Sequence, residues 1–195
     1  MNREIKRKTI HAMGIFSIAL IYILGKFLAS LAMLATSLSF LILDEYMKNK
    51  NKYKLVRNKK LDEFEEIVEE EIKSCKRKNE RSFHGAITFY IGCFLVTFIF
   101  PTEIAAASIA VLALADATST LVGYFFGKRK LPINKKKTWE GSTTFFLTAV
   151  FVLYFFTNPI KAIIAAIAAT LVEALPKVDD NITIPVTTAI LLFLL

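Results

Sequence analysis

The sequence predicts an all-α protein, a polytopic transmembrane bundle of about seven spans with an amphipathic cytosolic helix between spans two and three. Three observations predict it: 54% of the 195 residues are apolar, the charges are segregated into blocks, and the basic residues fall almost wholly in alternate loops. Residues 1–9 hold 5 of the 42 charged residues, 48–82 hold 20 and 126–140 hold 7, which leaves 10 over the other 136 positions. A soluble domain of this size spreads its charges more evenly, so those 136 positions read as membrane. Seven Gly and five Pro exclude a collagenous or low-complexity chain, and the apolar content excludes disorder. One integral-membrane domain over 1–195 is expected, with 48–82 as a charged cytosolic linker and helix.

A spanning helix needs about 20 mostly apolar residues at about 1.5 Å rise each. The segments 9–24, 27–46, 83–100, 104–126, 141–156, 160–175 and 182–195 meet or approach this. The last rises only about 21 Å against a hydrocarbon core of about 30 Å, so a short, half-inserted or locally thinned span is expected there, with room for a broken helix. With the N-terminus inside, the cytoplasmic segments carry 23 of the 25 Lys and Arg residues, and only Lys26 and Lys161 lie outside. Basic loops are retained on the cytoplasmic side, which predicts the N-terminus in, the C-terminus out and the active site facing the cytoplasm. The first apolar segment lacks a small-residue cleavage site and a second span follows at once, so it reads as an anchor rather than a removed signal peptide.

Within the linker, Leu61, Phe64, Val68, Ile72 and Cys75 recur every three or four residues, with acidic residues early and basic ones late. That is an amphipathic helix matched to its own macrodipole, serving as a surface linker or as a lid. Cys75 and Cys93 fall in different environments and imply neither a disulfide framework nor a metal spacing.

Carboxylates inside spans cost at least about 2.5 kcal/mol by insertion scales, so each asks for a reason. Asp116 sits in the middle of the fourth span, and Thr120, Gly123 and Gly127 follow at offsets that place all four on one helical stripe. Small residues there suit helix packing; the carboxylate on the same face points to a site that approaches the backbone closely. The stripe leads into a loop with Lys128, Arg129, Lys130, Lys135, Lys136 and Lys137, flanked by Thr138, Gly141 and Ser142. Ammonium groups beside backbone amides and hydroxyls are what a polyphosphate needs. Glu140 would complete a metal site, and Trp139 reads first as an interfacial anchor. Further on, Glu173 lies in the sixth span, and Asp179 and Asp180 lie beyond its end. Adjacent carboxylates at a membrane edge suit Mg²⁺, whereas Asp180, Asn181 or Thr183 would cap a helix whose first turn accepts Pro185. At the mouth of the first span His11 reads equally as a helix–helix hydrogen bond or a substrate contact, Lys8 as a topology signal, and His84 as an interfacial residue.

Asp116-Ala117 through Gly123-xxx-Gly127-Lys128, followed by Lys137-Thr138-Trp139-Glu140-Gly141-Ser142, resembles the nucleotide-binding signature shared by CTP-dependent polyprenol kinases and CDP-diacylglycerol synthases. Arg7-Lys8-xx-His11, and Val172-Glu173 with Asp180-Asn181-Ile182-Thr183-Ile184-Pro185, resemble the dolichol, phytol and diacylglycerol kinases within that group. The resemblance runs from residue 7 to about 186, apart from 48–82, and the Lys137–Ser142 stretch is its most specific part. It implies CTP as phosphate donor, a membrane lipid alcohol as acceptor, Mg²⁺ as cofactor and no nucleic acid. The chain is shorter than eukaryotic dolichol kinases, which carry additional spans.

Phosphoryl transfer needs positioning and charge neutralisation more than covalent help. The expected nucleotide-binding set is therefore Thr120, Gly123, Gly127, Lys128, Lys130, Lys136, Lys137, Thr138, Glu140, Gly141 and Ser142. The expected metal set is Asp116, Glu140, Asp179 and Asp180, and the expected catalytic set Asp116, Asp180, Glu173 and His11, with one carboxylate as base for the hydroxyl. A CDP-lipid synthase is the nearest rival reading. A transporter would need inverted repeats that are not visible, and a scaffold would leave the carboxylates unexplained. Phe16, Tyr22, Phe145 and Phe146 suit either a lipid groove or a lipid-facing surface.

Overall fold

A computed structural model describes residues 3–49, 83–175 and 179–195, and among these residues the protein is helical without a β-strand. The expected amphipathic helix at 61–78 lies outside the described residues, as does Lys177. In chain order the helices are α1 (Arg3–Ala12), α2 (Phe16–Leu24), α3 (Lys26–Asn49), α4 (His84–Ile99), α5 (Thr102–Ala110), α6 (Asp116–Phe125), α7 (Trp139–Tyr154), α8 (Pro159–Ala174) and α9 (Asp180–Leu194). A 3₁₀ turn at Met13–Ile15 joins α1 to α2, and a π turn at Val111–Ala115 joins α5 to α6. The helical rods therefore number seven among the described residues, and they follow the seven apolar segments.

Three of the rods, Ile5–Leu24, Lys26–Asn49 and Thr102–Phe125, are long and apolar enough to cross a membrane. The others have 15 or 16 residues, about 22–24 Å at the α-helical rise. The α5–α6 rod is the buried centre: Ala105, Ala106, Ala107, Ile109, Val111, Leu112 and Ala113 are all sealed from solvent. Around it α4, α9, α8 and α7 pack in succession, α1 and α2 close the remaining side, and α3 packs outside against α2 and α4. Small residues allow this crowding, since Ala162, Ala165, Ala166 and Ala169 of α8 are fully buried.

The breaks between rods have local causes. Gly25 takes φ 79°, a conformation that costs glycine little, and this ends α2 and redirects the chain into α3. Pro159 at the first position of α8 follows Asn158, whose side chain caps the Lys161 amide at 3.0 Å. The first rod begins earlier than hydropathy places it, because Lys8 is drawn into the bundle rather than left in a loop. The last rod is unbroken. Pro185 lies inside α9 and cannot donate to the Asn181 carbonyl; that carbonyl instead lies against Gly92 of α4, where a Cβ would come within 2.1 Å of it. Gly92→Ala should therefore force α4 and α9 apart and cost about 1–3 kcal/mol, as overpacking typically does, read as a lower melting temperature in detergent; an unchanged melting temperature would refute this account of the contact.

Candidate active site

Six elements deliver charged or hydroxyl side chains to one cluster, buried around Asp116 and Glu173 and partly open at Lys137 and Asp180. Lys8 and His11 lie one turn apart on the same face of α1 and both aim at Asp116, the first residue of α6. The Lys8 ammonium donates to Asp116 Oδ2, and His11 Nε2 stands 3.3 Å from the same oxygen. His11 Nε2 is also 3.2 Å from the Leu112 carbonyl in the π turn; both neighbours accept, so this nitrogen carries the hydrogen. The imidazole rests edge-on against Phe89 of α4, with ring centroids 5.0 Å apart. Lys8 is only 6% exposed and Asp116 2%, which makes this an ion pair inside the bundle rather than at its surface.

The second half of the cluster forms around Lys137. Its ammonium donates to Glu173 Oε1 and Asp180 Oδ2, each at 2.7 Å, and Ser142 Oγ donates to the other Glu173 oxygen at 3.1 Å. Burial alone would depress the Lys137 pKa, but the carboxylates of Asp180 and Glu173, with Asp116 behind them, raise it above the ordinary lysine value. Lys137 is thus a fixed cation, tied to α8 and α9 and within reach of the Asp116 field. Three carboxylates meet two ammonium groups, an arrangement able to trade an internal cation for an external one or to hold a phosphate against the lysines.

The glycines and Thr138 build the wall beside this cluster. A Cβ on Gly123 would meet Thr138 Oγ1 at 3.0 Å, one on Gly127 the Gly123 carbonyl at 2.2 Å, and one on Gly141 the Ser119 carbonyl at 2.9 Å. These three are occupied by packing α6 against α7 and the loop before it. Thr138 Oγ1 caps α7 by accepting the Gly141 amide at 3.1 Å. Thr120 lies on the same helix, partly buried, whereas Lys128, Lys130 and Lys136 are exposed on the loop. The loop is pinned by an isolated antiparallel bridge between Lys130 and Thr138.

Among the described residues, no group of three or more His, Cys, Asp or Glu is arranged to hold a metal ion. The expected set of Asp116, Glu140, Asp179 and Asp180 is therefore not gathered as a cage. Glu140 Oε2 accepts from the Lys128 and Arg129 amides at 3.2 and 3.3 Å, and hydrogen bonds from its own amide, Arg129 and Lys128 hold its carboxyl below the usual range. Asp179 is the cap of α9. The carboxylates that do stand together are Glu173 and Asp180, joined through one ammonium.

Sequence reasoning missed Lys8 as the partner of Asp116, although its spacing from His11 carried the signal. It placed His84 at the interface and missed its neighbour Asp179, 3.0 Å away. Of the four aromatic residues considered for a lipid groove, Phe145 is sealed in the core, and Phe16 and Tyr22 are exposed. Phe146 lies beside an open apolar depression on the surface, among Leu147, Val150, Phe151, Tyr154 and Ile163.

The chain is similar to a probable chloroplastic phytol kinase of Triticum aestivum, 33% identical over 146 residues, which cover 64% of this chain and 49% of that protein. It is also similar to a chloroplastic farnesol kinase of Arabidopsis thaliana, 37% identical over 111 residues, 48% of this chain and 36% of the relative. A CTP-dependent diacylglycerol kinase of Schizosaccharomyces pombe is 30% identical over 139 residues, 62% of this chain and 64% of the relative. The chain spans about half the length of the first curated relatives it matches. No family model and no solved structure matches it.

Removing one partner of a buried ion pair typically costs about 3–5 kcal/mol, whereas removing both can be nearly neutral. Lys8→Met should lower the unfolding free energy in micelles by about that amount, and the double variant Lys8→Met/Asp116→Leu should recover most of it. Equal losses in the single and double variants would contradict the pairing.

Proposed function

We propose that the chain is a CTP-dependent lipid kinase akin to the phytol, farnesol and diacylglycerol kinases it resembles, and that it transfers the terminal phosphate of CTP to the hydroxyl of a membrane polyprenol, dolichol-like, or a related lipid alcohol. The observation that carries the reading is the Lys137 ammonium held between Glu173 and Asp180 and backed by Ser142, beside a loop of exposed lysines.

In this reading the nucleotide enters from the cytosol, the side that the distribution of basic residues assigns to the loop. Lys128, Lys130 and Lys136 draw the phosphates toward Lys137, which exchanges a carboxylate for a phosphate oxygen. The packed glycines bring the backbone of α6 and α7 close to that position. Glu173 and Asp180, relieved of the ammonium, form the kind of donor set that Mg²⁺ takes together with substrate phosphates. When bound, Mg²⁺ would neutralise charge on the phosphates. Asp116 stays fixed by Lys8 and His11 and contributes its negative field to Lys137. The alcohol oxygen forms a bond to the γ-phosphorus, the bond from that phosphorus to the β–γ bridging oxygen breaks, CDP leaves, and the hydroxyl proton passes to a site carboxylate.

The test uses protein in lipid with Mg²⁺ and CTP labelled separately at the α and γ positions, with dolichol, a shorter prenol and diacylglycerol offered in parallel. Label from the γ position should appear in one of the lipids, and Asp180→Asn should reduce its transfer by about 10²-fold or more. Label from the α position on a supplied lipid phosphate, with release of pyrophosphate, would make the protein a CDP-lipid synthase. No transfer of either label would overturn both.

A further inference from the structure

The N-terminus of α9 carries Asp180, and its anchorage does not come from α9 itself. Asp179 accepts three backbone amides: that of Asn181 on its side chain at 3.0 Å, and those of Ile182 and Thr183 on its own carbonyl at 3.1 and 3.0 Å. The second carboxylate oxygen of Asp179 lies 3.0 Å from His84 Nε2, within ion-pair distance. One turn along α4, the Asn181 side chain donates to Thr88 Oγ1 at 2.8 Å and to the Gly85 carbonyl at 3.3 Å. One further turn along, Gly92 lets the Asn181 carbonyl lie flush against α4. The first turns of α4 therefore form a clasp on the first turn of α9, and His84 is its outermost contact.

We propose that His84 is a positioning residue: through Asp179 it fixes the first turn of α9, and so holds Asp180 against Lys137. Its part in catalysis rests on the phosphoryl transfer proposed above, whereas the clasp stands on the contacts alone. His84 touches neither Lys137 nor Asp180 and acts only through the cap. A site that moves one carboxylate by an ångström loses about 10²-fold in rate without losing its ligands, so the signature of this role is a fall in kcat rather than a rise in KM. Because His84 is 45% exposed in its side chain, it can be replaced without opening a hole in the core.

The test compares the wild-type full chain with His84→Ala and His84→Gln in lipid nanodiscs, by hydrogen exchange and by steady-state transfer from CTP. In His84→Ala the amides of Asn181, Ile182 and Thr183 should exchange about ten-fold faster while the central α5–α6 rod is unchanged, as local opening of one unit predicts. Its kcat should fall about ten-fold or more with KM for CTP held within about two-fold, and His84→Gln, which keeps an N–H donor, should restore both properties. Unchanged exchange in His84→Ala would overturn the clasp. Faster exchange with unchanged kcat, or a Gln variant as defective as Ala, would overturn the positioning role. If the wild type transfers no phosphate to any lipid alcohol, the kinase reading and the positioning role fail together, while the exchange data still decide the clasp.

Discussion

An ionised carboxylate cannot sit among apolar helices unless a cation and hydrogen bonds meet it there. Asp116 imposes that condition on the whole bundle. Its place at the junction of the π turn and α6 brings Lys8 and His11 inward, which fixes how α1 lies on the central rod. The same demand is repeated one layer away, where Glu173 and Asp180 require Lys137, and Lys137 in turn ties the loop between α6 and α7 to α8 and α9. The two pairings cross-link four of the seven described rods and the loop between α6 and α7. Apolar packing supplies the bulk of the contact, and the ion pairs decide which faces meet.

This division explains how a cluster of charged side chains coexists with a bundle of apolar helices. The parts that must be rigid are built from alanine and glycine: the α8–α9 interface, the Gly123–Thr138–Gly141 contact, and the Gly92 seat for the Asn181 carbonyl. The parts that can exchange partners are long side chains. Lys137 is one of them, bound to two carboxylates and reaching across from a loop, so it can change partners without moving a helix.

Much of the fold was legible because hydropathy and charge segregation report directly on what lipid tolerates. All seven apolar segments correspond to rods, with shifted ends where Lys8 and Asp180 enter the bundle. Asp116 and Glu173 were legible as site candidates because carboxylates inside spans are costly, Lys137 and Ser142 because cations beside hydroxyls suit phosphates, and Asp180 because adjacent carboxylates suit a metal; the structure brings those five near one another. What escaped depended on facing rather than on composition. Asp179 and Asp180 are neighbours in sequence, yet one caps a helix toward α4 and the other turns to Lys137. Glu140 is spent on the Lys128 and Arg129 amides, a loop closure that no spacing rule announces. The π turn before Asp116 has no marker in the run Val111-Leu112-Ala113-Leu114-Ala115, which would serve equally as an α-helix.

The central claim is that the Lys137 cluster is the nucleotide's binding centre. Calorimetric titration of CTP into the protein in nanodiscs, beside the Lys137→Gln variant, tests it most directly. The account predicts saturable binding to the wild type and an affinity at least about ten-fold weaker in the variant, because the lysine would contribute a charge-assisted contact to the phosphates. Equal affinity in the two proteins, or no binding of CTP to the wild type, would contradict it.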